Sequence, residues 1–321
     1  MSLGIHRSVM VREVLQALRP ERGGLFFDGT VGSGGHTEAL LLYDPAIRVI
    51  AVDRDEEAIA SARGRLRGFG GRFEAVHLDC REAPTVLRTR GINQLDGALL
   101  DLGVSSLQLE DPNRGFSFQS EGPLDMRMDR RQPLTARQLV NGLPEEELSD
   151  LLYKLGEERD ARRIARQIVR ARAQRGIETT RQLVEIVAQA VRYRHRSQIH
   201  PATKTFQAIR IAVNEELRGL GELLHELVRL LGPGARLAVI SFHSLEDRIV
   251  KRSFRLAAGE CQCPSQRSYP RMEGRCPICG AERLAEMVPR KPIRPSAEEI
   301  ETNPRVRSAK LRVCERRLAR A

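Results

Sequence analysis

At 321 residues, 41% of them hydrophobic, the chain is long and apolar enough for one large domain or a domain carrying a sizeable insertion. Lys and Arg number 53 against 42 Asp and Glu, giving +11; nucleic acid is the economical partner for that excess, and a generally arginine-rich proteome is the alternative. No apolar run approaches the roughly 20 residues of a membrane span, and the N-terminus lacks a charged-then-apolar signal pattern. A cytoplasmic chain without a membrane partner is expected, and its six cysteines then read as thiols or metal ligands rather than disulfides.

Residues His6 to Leu18 form a short amphipathic helix, with Val11, Val14, Leu15 and Leu18 on one side. His6 reads either as a cap or surface group or as part of a lid over a bound ligand. Leu25 to Phe27 is a buried strand that ends at Asp28 and runs into a glycine-rich turn, behind which Thr37-Glu-Ala-Leu-Leu-Leu reads as the first turns of a helix. Strand, glycine turn and helix N-terminus let backbone N–H groups approach a ligand closely, although a strand–helix turn that simply needs glycines is the plainer alternative. The next strand, Arg48 to Val52, ends at Asp53, where an acidic residue would reach a ribose diol. Phe73 to Leu78 is a third strand ending at Asp79-Cys80, and Leu95 to Leu100 a fourth ending at Asp101. Strands alternating with helices imply a doubly wound parallel sheet, whose ligands gather at its carboxyl edge.

The dinucleotide fingerprint is not met, because Thr37 stands where its third glycine belongs, and no Gly-Lys-Ser/Thr follows to make a P-loop. What remains, Asp28-Gly-x-x-Gly32-x-Gly34, resembles the first motif of class I S-adenosylmethionine-dependent methyltransferases.

Beyond Asp101 the pattern changes. Gly115-Phe-Ser-Phe118 and Gly122-Pro-Leu-Asp-Met-Arg-Met-Asp129 make a loop rich in Gly, Pro and Met. From Thr135 to about Arg192 the periodicity is helical, with capping boxes at Thr135-x-x-Gln138 and Thr179-x-x-Gln182 and a helix opened by Pro144. The expected division is residues 1–112, a helical insertion at 113–212 that recognises substrate, and residues 213–321 completing the first domain. Arg159, Arg162, Arg163, Arg166 and Arg170 fall within about 100° of helical arc, opposite Ala161, Ile164 and Ile168. That face reads as an RNA contact or as a solvated surface. Arg192-Tyr-Arg-His-Arg196 adds charge mixed with aromatics. Leu230 to Arg236 reads as a helix end and turn, Leu237 to Phe242 as the fifth strand, and His243 as the start of a helix. Cys261-x-Cys263 and Cys276-Pro-Ile-Cys279 supply four thiolates for a structural zinc, the second pair as a zinc-knuckle turn; a metal-free loop with incidental thiols is the alternative. Cys80 and Cys314 read as packed thiols.

Seven ordered motifs carry a resemblance that covers His6 to Arg312. They are Asp28-Gly-Thr-x-Gly-x-Gly-Gly-His36, Leu100-Asp-Leu-Gly-Val-Ser-Ser106, Arg114-Gly-Phe-Ser-Phe118, Gly122 to Asp129, His200-Pro-Ala-Thr-Lys-Thr-Phe-Gln207, Ser241-Phe-His-Ser-Leu-Glu-Asp-Arg248 and Asn303-Pro-Arg-x-Arg-Ser-Ala-Lys310. Together they resemble the RsmH (MraW) family of 16S ribosomal RNA cytidine N4-methyltransferases. The resemblance implies the class I α/β fold with an inserted all-α domain, S-adenosylmethionine as cofactor, and methylation of a cytidine in the decoding centre of 16S rRNA within the 30S ribosomal subunit. By motif it places Gly34, Gly35, His36, Asp53, Asp101 and Gln108 at the cofactor, with Cys80 at a position that is often aromatic in the family.

Methylating a cytosine amine requires accepting its hydrogen bonds, drawing nitrogen out of conjugation and aligning it with methyl and sulfur. Asp101 is expected to position cofactor and amine, and His243 to act either as proton acceptor or as a helix cap. A cytidine must be presented unpaired, and base stacking would fall to Phe116, Phe118 or Tyr193, with arginines on phosphates. The rival readings are a non-enzymatic RNA-binding assembly factor, discriminated by cofactor titration, and a DNA-amine methyltransferase, against which the missing Pro-Pro-aromatic motif speaks. Monomer and homodimer are equally compatible with the sequence.

Overall fold

A computed structural model describes residues 8–191, 200–263 and 275–318. His6 and the Arg192–Arg196 run, including Tyr193, lie outside them. The chain divides into two compact units, Met1–Gly103 with Leu217–Ala321, and Val104–Glu216. The joints fall earlier and later than the expected 112/113 and 212/213. Val104 and Leu109 already pack on the helical unit's core, and Glu216 is held there by Arg210 at 2.9 Å.

In the first unit the short apolar runs become strands because both of their faces are covered. α1 (Val11–Leu18) precedes β1 (Gly24–Asp28); α2 (Gly35–Tyr43), β2 (Ile47–Asp53), α3 (Glu56–Arg65), β3 (Phe73–His77), α4 (Ala83–Thr89) and β4 (Leu95–Asp101) follow. Side chains alternate with period two. Phe26, Val49, Ala51 and Leu99 pack with Val14, Leu18, Leu40, Leu41 and Ile59. Phe27, Ile50, Val52, Ala98 and Leu100 pack with Leu87. Phe26 and Phe27, each 1% exposed, anchor opposite faces, each contributing about 1.5–3 kcal/mol by burial.

The second unit is helical: α5 (Ser106–Glu110), α6 (Ala136–Gly142), α7 (Glu145–Gly156), α8 (Ala161–Gln174), α9 (Thr180–Ala190) and α10 (Thr203–Asn214). Ser105–Gln108, Thr135–Gln138 and Thr179–Gln182 all close capping boxes. Leu148, Leu152, Ile164, Ile168, Leu183, Val187 and Ile209 form its core. The Gly- and Met-rich loop is tied down by two buried side chains. An Arg114 guanidinium N–H group donates to the carbonyls of Arg127 and Met128, each at 3.0 Å. Asn214 accepts the Met128 N–H and donates to the Met126 carbonyl, each at 2.7 Å. With its polar backbone groups thus paired inside the unit, the loop holds Met126 fully buried at φ 59°, in the left-handed region.

The chain then re-enters the first unit. α11 (Leu220–Leu230) leads into β5 (Leu231–Ser241), followed by α12 (Ser244–Ala257), β6 (Ala285–Met287), α13 (Ala297–Thr302) and β7 (Lys310–Arg316). The segment expected as a helix end and turn is the first part of β5. Leu231 pairs with Leu95 across an irregularity that accommodates Gly232-Pro233. β1 to β5 are parallel, β7 is antiparallel to β5 and β6, and the sheet order is β3-β2-β1-β4-β5-β7-β6. Leu223, Leu224, Leu227, Val250 and Phe254 from α11 and α12 cover the α4 face. Among the described residues no helix is long and apolar enough to cross a membrane.

Candidate active site

Parallel pairing aligns the strand ends. Asp28 is in register with Ala51 and Leu99, and Asp101 with Ile240. Asp28 is 1% exposed and accepts from Thr37 Oγ1 at 2.7 Å and from the Thr30 N–H at 3.1 Å. Burial raises its pKa, and the Thr37 bond and the His36 charge offset only part of that rise. Thr30 in turn receives the Asp101 N–H on Oγ1 at 2.6 Å, so β1 and β4 are laced together at their tips.

Asp53 steadies the glycine turn from the neighbouring strand. Its Oδ2 accepts the Gly32 N–H and its Oδ1 the Asp55 N–H, both at 2.9 Å. Burial outweighs these bonds and pushes the carboxyl up to about 6. The Val31 N–H donates to the Val52 carbonyl at 3.0 Å, which fixes the turn over β2. Gly34 sits at φ 86° as N-cap of α2, without a side-chain cap; the first amides of α2 are therefore the kind of donors that suit an anion. A Cβ on Gly35 would lie 2.0 Å from Ser8 Oγ, so a side chain there would displace the Ser8 hydroxyl.

His36 follows in the first turn of α2, 6% exposed. Its Nε2 lies 3.4 Å from Asp101 Oδ2, off the direction of a hydrogen bond, and both ring nitrogens and Asp101 Oδ1 are buried without hydrogen-bond partners. Burial pulls the imidazole down, but Asp101 overrides it, with Asp28 and Glu299 adding, and the net direction is up. Glu299, on α13, accepts the Met10 N–H at 2.7 Å. The edge thus holds one imidazole among three carboxylates.

The third strand ends at His77, two residues short of Asp79. Asp79 is clamped by Arg54 at 2.8 Å and by Arg81 through Nε at 2.9 Å and a terminal N–H group at 2.6 Å. Burial works against it, yet the two guanidiniums hold the carboxyl below the usual range. Cys80 is half-buried, and burial pushes its thiol up to about 12, so it is neutral. His243, after β5, caps α12. Its Nδ1 accepts the Glu246 N–H at 3.4 Å, and its Nε2 lies 3.1 Å from Glu246 Oε1. An Nδ1 that accepts leaves the proton on Nε2, so in this arrangement the ring offers no free lone pair and fits the cap reading. Gln108 belongs to the helical unit, where its Oε1 accepts the Ser105 N–H at 3.0 Å.

The four expected metal ligands converge. Cys261 Sγ is 3.6 Å from Cys276 Sγ and 3.4 Å from Cys279 Sγ, Cys263 Sγ is 3.9 Å from Cys276 Sγ, and all four lie within 4.8 Å of one another. Zinc–sulfur bonds of 2.3 Å in a tetrahedron require separations of about 3.8 Å, whereas a disulfide would require about 2.05 Å. The donor set fits zinc. Backbone N–H groups of Gln262 and Ala281 outweigh a burial penalty and lower Cys279 to about 6, which favours the thiolate.

Phe116, an expected stacking residue, is buried, its ring 5.8 Å from the Arg114 guanidinium. That packing closes it to a base. Thr30 and Glu299 were not singled out from the sequence; their partners, Asp101 and Met10, lie 71 and 289 residues away.

An acidic carboxyl edge, a glycine turn with an uncapped helix behind it, and a β3-β2-β1-β4-β5-β7-β6 sheet with antiparallel β7 define a class I S-adenosylmethionine-dependent methyltransferase. The MraW methylase family matches residues 4–317, and the chain belongs to it. It is 50% identical over 315 residues to the ribosomal RNA small subunit methyltransferase H of Geobacter sp. (strain M21), covering 97% of this chain and 98% of that one. To the protein of the same name from Halothermothrix orenii it is 44% identical over 314 residues, covering 97% and 98%.

Proposed function

We propose that the protein methylates the exocyclic N4 of a cytidine in the decoding centre of 16S rRNA, acting in the cytoplasm on the 30S subunit. The observation that carries this reading is the meeting of buried His36 with half-buried Asp101, where both ring nitrogens and Asp101 Oδ1 are buried without hydrogen-bond partners, beside the uncapped start of α2. Such a site is complete only when a polar ligand arrives. S-adenosylmethionine, when bound, supplies a methyl on a positively charged sulfur. The α2 amides at Gly35 and His36 suit its carboxylate, and Asp53 suits its ribose diol. Asp101 Oδ1 is the acceptor that remains for an amine, and Asp101 in turn raises the pKa of His36 beside it against the burial that would lower it. Proton acceptance therefore falls to Asp101 rather than to His243. Cys261, Cys263, Cys276 and Cys279 hold a structural zinc.

The helical unit supplies RNA contacts. Arg162, Arg163, Arg166 and Arg170 of α8 are exposed, opposite buried Ala161, Ile164 and Ile168, and Arg159 is exposed just before the helix. Asp160 and Glu145 approach Arg163 and Arg166 only at 3.9 and 3.5 Å, so the face keeps a positive surplus for phosphates.

Cofactor titration tests the edge. Asp53→Ala is expected to weaken S-adenosylmethionine binding about 10- to 100-fold by calorimetry, the loss of hydrogen bonds to a charged acceptor. Wild-type affinity is expected to be level above pH 6 and to fall as the pH drops through about 6, because a protonated Asp53 no longer accepts from both hydroxyls. Asp53→Asn flattens that dependence. Unchanged affinity in Asp53→Ala would remove Asp53 from the site.

A further inference from the structure

Aromatic rings are scarce here: nine Phe, four Tyr, seven His and no Trp. Three rings nevertheless pile up in the helical unit, climbing from its core to its surface. Phe206 of α10, 4% exposed, forms the base. Phe118, half-buried, meets it edge-on at 5.3 Å and 72°. His200 lies flat on Phe118, centroids 4.7 Å apart and planes 22° apart, and is itself exposed. The imidazole is locked in rotation, because its Nδ1 accepts the Ala202 N–H at 3.2 Å. With Nδ1 accepting, Nε2 carries the N–H and is the ring's one edge donor. An imidazole that merely filled a gap would be enclosed. This one is backed by a phenyl ring and exposed, with its orientation fixed in advance.

The geometry points to a nucleobase platform: an unpaired base of the substrate RNA stacks on the outer face of His200 and extends the Phe206–Phe118–His200 pile by one ring. The inference deepens the RNA-methylating reading and rests on it for the identity of the ligand. Stacking suits RNA because every base offers a π-face, while exposed arginines in the same unit suit the backbone. Nε2–H supplies a donor for a base carbonyl or a phosphate oxygen. Phe118 acts as the ring beneath His200, and the platform that touches RNA is the histidine.

The test separates ring from bulk in the full-length protein. A single-stranded oligoribonucleotide of about ten residues carrying 2-aminopurine reports stacking through quenching of its fluorescence. Wild type and His200→Tyr are expected to quench it. His200→Leu, which keeps the volume but not the ring, is expected to bind about 5- to 100-fold more weakly without quenching. Thermal unfolding and cofactor titration establish that His200→Leu is folded, and Phe118→Leu, expected to reduce the quench, gives a second reading. Equal quenching by wild type and His200→Leu, or none by wild type, overturns the platform. With unmethylated 30S subunits as acceptor, His200→Leu should raise KM for the subunit and leave that for S-adenosylmethionine in place, and His200→Tyr should recover it to within about threefold. A wild-type protein that quenches the probe yet transfers no methyl to subunits leaves the platform standing and removes the proposed function.

Discussion

Replacing Asp101 by Ala should lower the single-turnover rate of methyl transfer to 30S subunits by about 10²- to 10³-fold, the loss typical of removing one preorganised polar group at a reacting centre. Asp101 reaches the edge as the last residue of β4, and its backbone N–H donates to Thr30 Oγ1. That bond survives the substitution, so the tip of β4 stays in place. What disappears is Oδ1, the buried acceptor without a partner, and Oδ2, the counter-charge 3.4 Å from His36. Asp101→Asn keeps the shape but loses the charge, and should retain cofactor binding better than it retains rate. A thermal unfolding curve close to wild type shows that the sheet is intact. A rate within tenfold of wild type would take Asp101 out of the chemistry.

Replacing Cys276 and Cys279 together by Ser should abolish metal content, from about one zinc per chain to none by elemental analysis of protein purified without chelator. The backbone of the knuckle turn is fixed, because the Cys276 N–H donates to the Ala281 carbonyl and the Gly280 N–H to the Cys276 carbonyl, and both sulfurs of the pair lie within 4.8 Å of those of Cys261 and Cys263. The base of the loop is held independently by the Ala258–Arg283 bridge and by the Leu284 N–H to the Ala257 carbonyl at 2.8 Å. Loss of metal should therefore open the loop to protease between 261 and 283 while the β5–β7–β6 edge persists. Wild-type protein with no stoichiometric zinc, or a double variant as protease-resistant as wild type, contradicts the assignment.

Much of the sheet is legible in the sequence because each of its first four strands is a short apolar run stopped by an acid or a turn. The two Thr-x-x-Gln boxes and Pro144 likewise mark helix starts by chemistry confined to a few residues. β7 is different. Lys310 and Arg312 make it look like surface, and only Asp247, 2.8 and 2.7 Å away from them, explains how they lie within a sheet. β6 is three residues long and has no pattern to read. The first part of β5 is hidden by Gly232-Pro233, which signals a turn unless the irregular pairing with β4 is known. The site divides along the same line. Asp28, Asp53 and Asp101 could be found because they end strands. The meeting of His36 with Asp101 and Glu299, and of Phe118 with His200, joins residues far apart in the chain and leaves no local signal. His243 illustrates the remaining ambiguity: a histidine at a helix start is compatible with cap or base, and only the Glu246 N–H donating to its Nδ1 favours the cap.

The central claim is tested most directly by the identity of the modified nucleoside. Purified protein, isotopically labelled S-adenosylmethionine and 30S subunits from cells lacking the enzyme are incubated together, and the 16S rRNA is digested and resolved by mass spectrometry. The account predicts label in a base-methylated cytidine carrying the methyl on N4, at a decoding-centre position, with none after Asp101→Ala at matched times. Label on a ribose, on another base or at a site elsewhere in the subunit, or no label at all, would contradict it.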